Sequence, residues 1–299
     1  MSFMLALPKI SLHGAGAIGD MVNLVAGKQW GKALIVTDGQ LVKLGLLDSL
    51  FSALDAHQMS YHLFDAVFPN PTEALVQEGY AVYQDAECDY LIAFGGGSPI
   101  DTAKAIKILT ANPGPSTAYA GVGKVVNAGV PLVAINTTAG TAAEMTSNAV
   151  IIDSSRQVKE VIIDANIIPD IAVDDASVML EIPASVTAAT GMDALTHAVE
   201  AYVSLGAHPL TDANALEAIR LIAQWLPQAV EDGHNLEARE QMAFGQYLAG
   251  MAFNSAGLGL VHALAHQPGA THNLPHGVCN AILLPIIENF NRPNAVARF

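Results

Sequence analysis

Basic residues are scarce in this sequence. Only 13 of its 299 residues are Lys or Arg, against 28 Asp or Glu, which gives a formal net charge of −15 at pH 7. The last lysine is Lys159, and the basic residues after Pro183 are Arg220, Arg239, Arg292 and Arg298. Nucleic-acid binding requires clustered cations that neutralise phosphates. The lack of any basic run therefore excludes a nucleic-acid partner.

Cysteines and long apolar runs are also missing. Cys88 and Cys279 are far apart and form no CxxC pair, which fits a reducing compartment and argues against a disulfide framework. Apolar residues make up 52% of the chain, yet Gly, Asp, Pro or His interrupts each run well before membrane-spanning length. Residues Met1–Lys9 lack the basic start of a signal peptide. We expect a cytoplasmic globular protein with no membrane partner.

The two halves of the chain follow different patterns. Up to about residue 180, short β-rich runs alternate with helical stretches, which predicts a parallel sheet covered on both faces. Val150–Ile152 and Val158–Ile163 are typical of a hairpin, which we expect to be appended to that sheet. After Pro183 the strand pattern stops, and long Ala/Leu-rich segments predict helices. We therefore predict an α/β domain over residues 1–182 and an all-α domain over residues 183–299.

A glycine-rich loop interrupts the first half. The strand pattern Asp89–Phe94 breaks into Gly95-Gly96-Gly97-Ser98-Pro99, and a helix pattern follows from Ile100. Three consecutive glycines let backbone N–H groups approach a pyrophosphate, and a helix N-terminus adds a favourable dipole. Pro99 suits the first helical turn because its missing N–H costs nothing there. This strand, turn and helix predict a nucleotide phosphate site.

An earlier pattern, Gly14-Ala15-Gly16-Ala17-Ile18-Gly19, matches the dinucleotide fingerprint, and Asp38 follows its last glycine by 19 residues. The preceding run, Ile10–His13, is a poor buried strand, so we interpret the pattern as a tight turn before an amphipathic helix. Asp38 ends the strand Leu34–Thr37, where ligands bind in open α/β sheets. It is either an ordinary turn aspartate or the acceptor for the ribose hydroxyls of NAD, where it would repel a 2′-phosphate.

A threonine-rich loop, Asn136–Glu144, also follows a buried strand. Its hydroxyl groups and small residues are able to close around a phosphate or a ribose. A polar turn with helix capping explains the same composition. Taken alone, the loop favours the polar turn.

Carboxylate and imidazole side chains recur at helical spacing in the second half. Asp193 and His197 are four residues apart, as are His262 and His266, so each pair lies on one face of an apolar helix. His276 follows in a turn before another apolar stretch. Imidazoles with one carboxylate suit Fe²⁺ or Zn²⁺ better than Ca²⁺ or Mg²⁺. Two such pairs in one domain favour a metal site over hydrogen-bonded core histidines.

Four blocks in this order resemble the iron-containing (group III) alcohol dehydrogenases, and the resemblance covers essentially the whole chain. Among the members similar to it are lactaldehyde/propanediol oxidoreductases and 1,3-propanediol dehydrogenases. The resemblance implies an α/β dinucleotide-binding domain followed by an all-α metal-binding domain, as in dehydroquinate synthase. The blocks are Gly95-Gly96-Gly97-Ser98-Pro99-Ile100-Asp101, Asn136–Glu144, Thr190–Glu200, and Val261–His266 with Pro275-His276-Gly277.

The resemblance also implies the site residues. The implied metal ligands are Asp193, His197, His262 and His276, with His266 beside the metal. The implied NAD site consists of Asp38 at the adenosine ribose, Asn70 near the adenine, and Gly95, Gly96, Gly97, Ser98, Asp101, Thr137, Thr138, Thr141 and Lys159. The residues implied near the substrate are Thr146, Asn148 and Phe253.

The chain departs from the family pattern at two points. The family continues for several helices beyond the position of Phe299, and those helices help to wall the substrate pocket. His272 stands where close relatives have an aromatic residue, so it alters the pocket or offers a rival ligand. An inactive, shortened nucleotide- or metal-binding relative is therefore an alternative, as is a glycerol-dehydrogenase-like polyol enzyme of the same fold.

The expected reaction is reversible hydride transfer between a small primary alcohol or diol and NAD, assisted by Fe²⁺ or, alternatively, Zn²⁺. His266 is the candidate for proton relay because an imidazole titrates in the right range. A synthase with a phosphorylated substrate needs several basic residues near the metal, and the helical half contains no lysine. A small neutral alcohol fits better. By the same resemblance we expect a homodimer.

Overall fold

The computed structural model describes residues 3–272 and 274–299, which fold into two compact units. The sheet unit consists of Leu7–Thr137 and Ala143–Val178. The helical unit consists of Thr138–Ala142, Met179–Phe299 and the residues before Leu7. The domain boundary predicted between residues 182 and 183 stays a prediction.

The sheet unit contains a six-stranded sheet and a three-stranded sheet. Its strands, in chain order, are β1 (Ile10–His13), β2 (Lys32–Val36), β3 (Ser60–Phe64), β4 (Tyr90–Gly95), β5 (Gly121–Val122), β6 (Leu132–Asn136), β7 (Asn148–Asp153), β8 (Val158–Ile163) and β9 (Ile171–Asp174). The large sheet has the order β1-β9-β6-β4-β2-β3, and all its neighbouring strands are parallel. This arrangement confirms the predicted fold class.

Helices cover both faces of the large sheet. They are α1 (Ala17–Ala26), α2 (Gly39–Lys43), α3 (Asp48–Ala56), α4 (Glu73–Asp85) and α5 (Gly97–Leu109). Successive side chains of a strand point to opposite faces, so Ile35 and Ile92 pack in one core while Leu34 and Leu91 pack in the other. The central strands are continuous apolar runs because both of their faces are buried.

One prediction for this half was wrong in detail. The hairpin β7–β8 is not appended to the large sheet but forms a separate sheet with β5, in the order β5-β8-β7. The edge strands of the large sheet are β1 and β3, and neither pairs with the hairpin. On the side that does not pair with β7, β8 pairs with β5. Ile10–His13, a poor buried strand by pattern, is a strand because an edge position requires only partial burial.

The helical unit confirms the change of pattern after Pro183, since the described residues beyond β9 form no further strand. Small side chains such as Ala194, Ala198, Ala218 and Ala249 fill its core, which lets the helices pack closely. Its helices are α6 (Ala184–Val203), α7 (Pro209–Glu231), α8 (Leu236–Ala256), α9 (Leu260–His272) and α10 (His276–Asn291).

No single helix in the described ranges is long and apolar enough to cross a membrane. Leu236–Ala256 and Leu260–Pro268 meet that test only as a pair, and they are bent by 105° at the break between them. Much of α8 is buried in the core of the helical unit, as is usual for an apolar helix of a globular domain.

Candidate cofactor and metal sites

The carboxyl ends of β2 and β4 form the point where the connections of the large sheet change direction. β2 and β4 are parallel neighbours, but the chain leaves β2 toward β3 and leaves β4 toward β6, on opposite sides. Open α/β sheets bind ligands at such points. Asp38 follows β2 and the glycine-rich loop follows β4, so the structure places two predicted cofactor elements at this one crevice.

The glycine-rich loop has the backbone geometry of an anion site. Gly95 has φ +146°, and a Cβ atom there would collide with the ring of Pro99. The cap residue of α5 is Gly96, which offers no side-chain acceptor to the first helical turn. Backbone N–H groups at the start of a helix attract negatively charged oxygens. Gly95, Gly96, Gly97 and Ser98 thus form a cradle that fits a pyrophosphate.

The other glycine pattern is occupied by the protein itself. An oxygen of Asp175 accepts hydrogen bonds from the backbone N–H groups of Gly16, at 3.0 Å, and Ile18, at 3.2 Å. The start of α1 therefore binds an internal carboxylate in the position where a phosphate would lie. This geometry agrees with the interpretation of Gly14–Gly19 as a turn before a helix.

Asp38 has a structural role that does not conflict with a ribose contact. Its Oδ1 accepts hydrogen bonds from the N–H groups of Gln40, at 2.9 Å, and Leu41, at 3.0 Å, so it caps α2. Both bonds use the same oxygen, and Oδ2 is the atom left for a further partner. The role of Asp38 at NAD stays a prediction.

The structure brings two further predicted cofactor residues together. Lys159 on β8 donates from Nζ to Oδ1 of Asn70 over 2.7 Å, although 89 residues separate them.

Asp101 accepts a hydrogen bond from the N–H of Val150, at 3.0 Å, and Thr137 donates its N–H to the carbonyl of Gly95, at 3.1 Å. Thr138 and Thr141 belong to the helical unit.

Thr146 and Asn148, predicted near the substrate, hold a buried lysine of the sheet unit. Nζ of Lys104 donates to the carbonyl oxygens of Thr146, at 2.8 Å, and Asn148, at 2.7 Å. Burial lowers the pKa of Lys104, against the opposing charges of Asp101 and Glu144. Nζ of Lys104 also donates to Oγ1 of Thr146 at 3.3 Å, and the substrate role of Thr146 and Asn148 stays a prediction.

The helical unit brings three of the four predicted metal ligands, Asp193, His262 and His276, into one group and places His197 beside them, outside that group. Oδ1 of Asp193 lies 3.5 Å from Nε2 of both His262 and His276, and 4.0 Å from Nε2 of His197. Ligand atoms, one each from Asp193, His262 and His276, lie within 4.8 Å of one another. Two ligands of a tetrahedral zinc ion, each bound at about 2.1 Å, are roughly 3.4 Å apart. The spacing and the oxygen and nitrogen donors therefore fit a divalent transition metal.

The charges of this cluster are coupled. Burial lowers the pKa of His197 to about 3, so this imidazole is neutral. Burial acts in the same direction on His262, but hydrogen bonds to Asp193 and Glu200 raise its pKa to about 9. Burial raises the pKa of Asp193, but the surrounding imidazoles outweigh that effect and hold it well below the usual range. Asp193 is thus ionised, and a metal ion competes with a proton at His262.

Family models cover nearly the whole chain. Residues 8–176 match the model "Iron-containing alcohol dehydrogenase", and residues 187–299 match the model "Fe-containing alcohol dehydrogenase family, C-terminal". The chain belongs to the iron-containing alcohol dehydrogenase family. This assignment confirms the resemblance drawn from the four sequence blocks.

Individual members of the iron-containing alcohol dehydrogenase family agree. The chain is 46% identical to an NAD-dependent methanol dehydrogenase of Bacillus methanolicus, over 98% of the chain and 77% of that relative. It is 45% identical to a lactaldehyde reductase of Escherichia coli strain K12, over 97% of the chain and 76% of that relative. A crystal structure of 1,3-propanediol oxidoreductase superposes with a TM-score of 0.95 at 45% identity, over 98% of the chain and 76% of that structure.

Two buried residues beside the predicted metal ligands, Glu200 and Asn280, have no role in the sequence patterns. Glu200 accepts a hydrogen bond from Nδ1 of His262 at 2.6 Å. Nδ2 of Asn280 lies 2.6 Å from Oδ1 of Asp193, and 3.3 and 3.2 Å from Nε2 of His262 and His276. Glu200 is seven residues after Asp193, and Asn280 is four after His276, so helical periodicity alone would have placed both on the same helix faces as the predicted ligands.

The remaining predicted residues of the helical unit surround the cluster. The ring centroid of His266 lies 5.1 Å from that of His276 and 6.4 Å from that of His262. The ring of Phe253 stacks on His197, with centroids 4.3 Å apart. His272 is exposed at the end of α9 and is outside the ligand cluster found among the described residues.

A backbone contact sets how closely α10 approaches α6. A Cβ atom at Gly277 would collide with the carbonyl oxygen of Ala189. Gly277 directly follows His276, and Ala189 lies one helical turn before Asp193. The close crossing that brings these two predicted ligands together therefore requires a residue without a side chain at position 277.

Proposed function

We propose that this chain is a metal-dependent, NAD-linked alcohol dehydrogenase that transfers a hydride reversibly between a small primary alcohol or diol and NAD. The observation that carries the proposal is the convergence of three imidazole Nε2 atoms on one ionised carboxylate oxygen of Asp193. The family assignment supports the same reaction class.

The residues that we propose to hold the metal are Asp193, His197, His262 and His276. A divalent ion bound there supplies Lewis-acid polarisation of the substrate oxygen. Fe²⁺ is the proposed ion because of the family, and Zn²⁺ is the alternative because the same donors bind it at least as strongly on the Irving–Williams trend.

The proposed cofactor is NAD rather than NADP. The loop Gly95–Ser98 would bind the pyrophosphate through backbone N–H groups. Asp38 would accept from the adenosine ribose and repel a 2′-phosphate by its charge. Six further residues complete the proposed set. They are Asn70, Asp101, Thr137 and Lys159 in the sheet unit, and Thr138 and Thr141 in the helical unit.

Oxidation of the alcohol releases a hydride from carbon to the nicotinamide and a proton from the hydroxyl oxygen. We assign relay of that proton to His266, which lies beside the cluster. Thr146, Asn148 and Phe253 are proposed to border the substrate.

Three of the four arginines of the helical unit, all except Arg292, are engaged within the protein, which supports a small neutral substrate. Arg239 is buried and donates to the carbonyls of Gly233 and Ile182 and to the hydroxyl of Thr187. Arg220 pairs with Glu217, and Arg298 pairs with Asp212. Cations that are already paired are poor partners for a phosphorylated substrate.

Cys88 and Cys279, both free and buried, support a cytoplasmic location.

The proposal is tested by NADH formation with short primary alcohols, diols and glycerol, after the protein is stripped with a chelator and reloaded with Fe²⁺ or Zn²⁺. His262→Ala should lose both activity and stoichiometric metal in elemental analysis. The matched control is His234→Ala, because His234 is an exposed histidine of the same unit. A reloaded wild type that forms no NADH would favour the non-catalytic alternative, and undiminished metal in His262→Ala would refute the ligand assignment.

A further inference from the structure

Glu200 is a fully buried carboxylate that touches one of the predicted metal ligands. It lies on α6, two helical turns after Asp193, and its side chain is 0% exposed. Burying a carboxylate is costly unless its oxygens are well bonded. Glu200 meets this requirement at the start of α9, where it bonds Val261 and His262, and at the backbone N–H of Gly259 just before that helix.

Its two oxygens have different partners. Oε1 accepts the backbone N–H of Val261 at 2.7 Å. Oε2 faces Nδ1 of His262 at 2.6 Å and lies 3.4 Å from the backbone N–H of the same residue. One oxygen therefore caps the helix that carries His262, and the other binds the imidazole ring itself.

The contact with the ring determines which nitrogen of His262 is available to a metal. A carboxylate cannot donate a hydrogen bond when ionised, so Nδ1 of His262 must carry the proton. Nε2, 3.5 Å from Oδ1 of Asp193, is then the nitrogen that gives up its proton and offers a lone pair when a metal binds. A carboxylate in this position also fixes the ring orientation and raises the basicity of the ligating nitrogen.

We propose that Glu200 is a positioning residue of the metal centre, which directs Nε2 of His262 to the metal by binding its Nδ1–H and holds the first turn of α9 in place. This inference rests on the proposed function in that it takes His262 as a metal ligand. It adds a residue to which neither the sequence patterns nor the family resemblance gave a role.

The substitution Glu200→Gln is unable to keep both contacts. Glutamine has the same shape but only one acceptor oxygen, so that oxygen is able to serve either Val261 or the imidazole. If it caps the helix, the amide N–H₂ faces Nδ1 and forces the proton onto Nε2. If it faces the imidazole, the helix cap is lost. In both cases the arrangement that favours metal binding is weakened.

The matched control is Glu73→Gln. The carboxylate of Glu73 also accepts backbone N–H groups, from Ser116 and Thr117, both at 3.0 Å, but it belongs to the sheet unit and caps no ligand helix. Zn²⁺ affinity is measured for each protein by competition with a chelator of known affinity. We expect Glu200→Gln to weaken Zn²⁺ binding roughly 10- to 100-fold and Glu73→Gln to leave it unchanged.

A spectroscopic readout distinguishes positioning from a purely structural role. In Zn²⁺-loaded wild-type protein labelled with ¹⁵N-histidine, His262 should show a zinc-bound Nε2 and a strongly downfield Nδ1–H resonance. That resonance should move upfield or vanish in Glu200→Gln. The measurement on the wild type decides the question even if the variant does not fold.

Zn²⁺ affinity of Glu200→Gln equal to wild type, or a wild-type His262 that binds zinc through Nδ1, would overturn the inference. Neither measurement depends on turnover. A protein that binds Zn²⁺ as described but oxidises no alcohol would therefore refute the proposed function and leave the role of Glu200 supported.

Discussion

The ring of Phe253 stacks on the imidazole of His197, with centroids 4.3 Å apart and planes inclined by 18°. Phe253 is buried, and its neighbour is a predicted metal ligand. The phenyl ring therefore restrains the imidazole from the face opposite His262, whose ring stacks on His197 at 4.4 Å.

Phe253→Ala should both destabilise the protein and weaken metal binding. Removing a buried phenyl ring costs about 3–5 kcal/mol of unfolding free energy, and His197 loses one of its two stacking partners. Chemical denaturation and Zn²⁺ competition measure the two effects. Phe244→Ala on the same helix is the control, because Phe244 is 38% exposed. Equal Zn²⁺ affinity in Phe253→Ala and wild type would contradict the restraint.

Asp38→Asn should relax the preference for NAD over NADP. Asparagine keeps the oxygen that caps α2 but removes the negative charge. A like charge within about 4 Å of a 2′-phosphate costs on the order of 1–4 kcal/mol, so kcat/KM for NADP should rise roughly tenfold or more. Asp38→Ala additionally removes the cap, and thermal denaturation reports that loss separately. Equal use of NADP and NAD by the unmodified protein would refute the role of Asp38.

Asn280→Leu should destabilise the metal-free protein more than the metal-loaded protein. Without Zn²⁺, Asp193 loses the hydrogen bond that Asn280 donates at 2.6 Å, and a hydrogen bond to a charged group is worth about 1.5–3 kcal/mol. Bound Zn²⁺ would satisfy the same oxygen. The shift in melting temperature on chelation should therefore be larger in Asn280→Leu than in wild type. Asn112→Leu, which removes a buried amide of the sheet unit, should show equal losses with and without metal.

Lys104→Met should change how stability depends on pH. Burial lowers the pKa of Lys104 from its ordinary value of 10.5. Between the lowered pKa and 10.5, the unfolded chain binds a proton that the folded protein does not, so folding stability rises with pH in this window. Wild type should therefore gain stability relative to Lys104→Met as pH rises toward 10.5. Melting temperatures across this range check the slope, with the exposed Lys124→Met as the control. Parallel curves for wild type and Lys104→Met would contradict it.

One face of α10 should promote self-association. Val278, Ile282, Ile286 and Phe290 recur every fourth residue and are 44%, 62%, 62% and 68% exposed. Contiguous exposed apolar surface drives association. The double substitution Ile282→Lys/Ile286→Lys should shift the protein toward monomers in sedimentation velocity, whereas Leu205→Lys should not, although Leu205 is more exposed than either isoleucine. An unchanged distribution would exclude this face from the expected dimer contact.

Local patterns predicted much of the fold because their causes are local. The order of strand, glycine turn and helix around Gly95 follows from buried β-rich residues, the missing Cβ atoms and the start of α5. The pairs Asp193–His197 and His262–His266 were recognisable because four residues make about one helical turn.

Contacts between distant segments were not predictable in this way. Asp175 caps α1 by binding Gly16 and Ile18, which come 159 and 157 positions before it in the sequence. Glu200 contacts His262, which comes 62 positions after it. No spacing rule within one helix describes such pairs. The sheet to which β8 belongs was mispredicted for the same reason, since its pairing with β5 depends on the path of the intervening chain.

The spacing of the predicted metal ligands depends on the absence of a side chain at Gly277. The backbone of α10 contacts the backbone of α6 at this residue. The distance between Asp193 and His276 is therefore set by how closely the two main chains cross, and not by flexible side chains. A single methyl group at position 277 would collide with the carbonyl oxygen of Ala189 and push the two helices apart, with every predicted ligand still present. We therefore expect Gly277→Ala to weaken metal binding although all four predicted ligands remain.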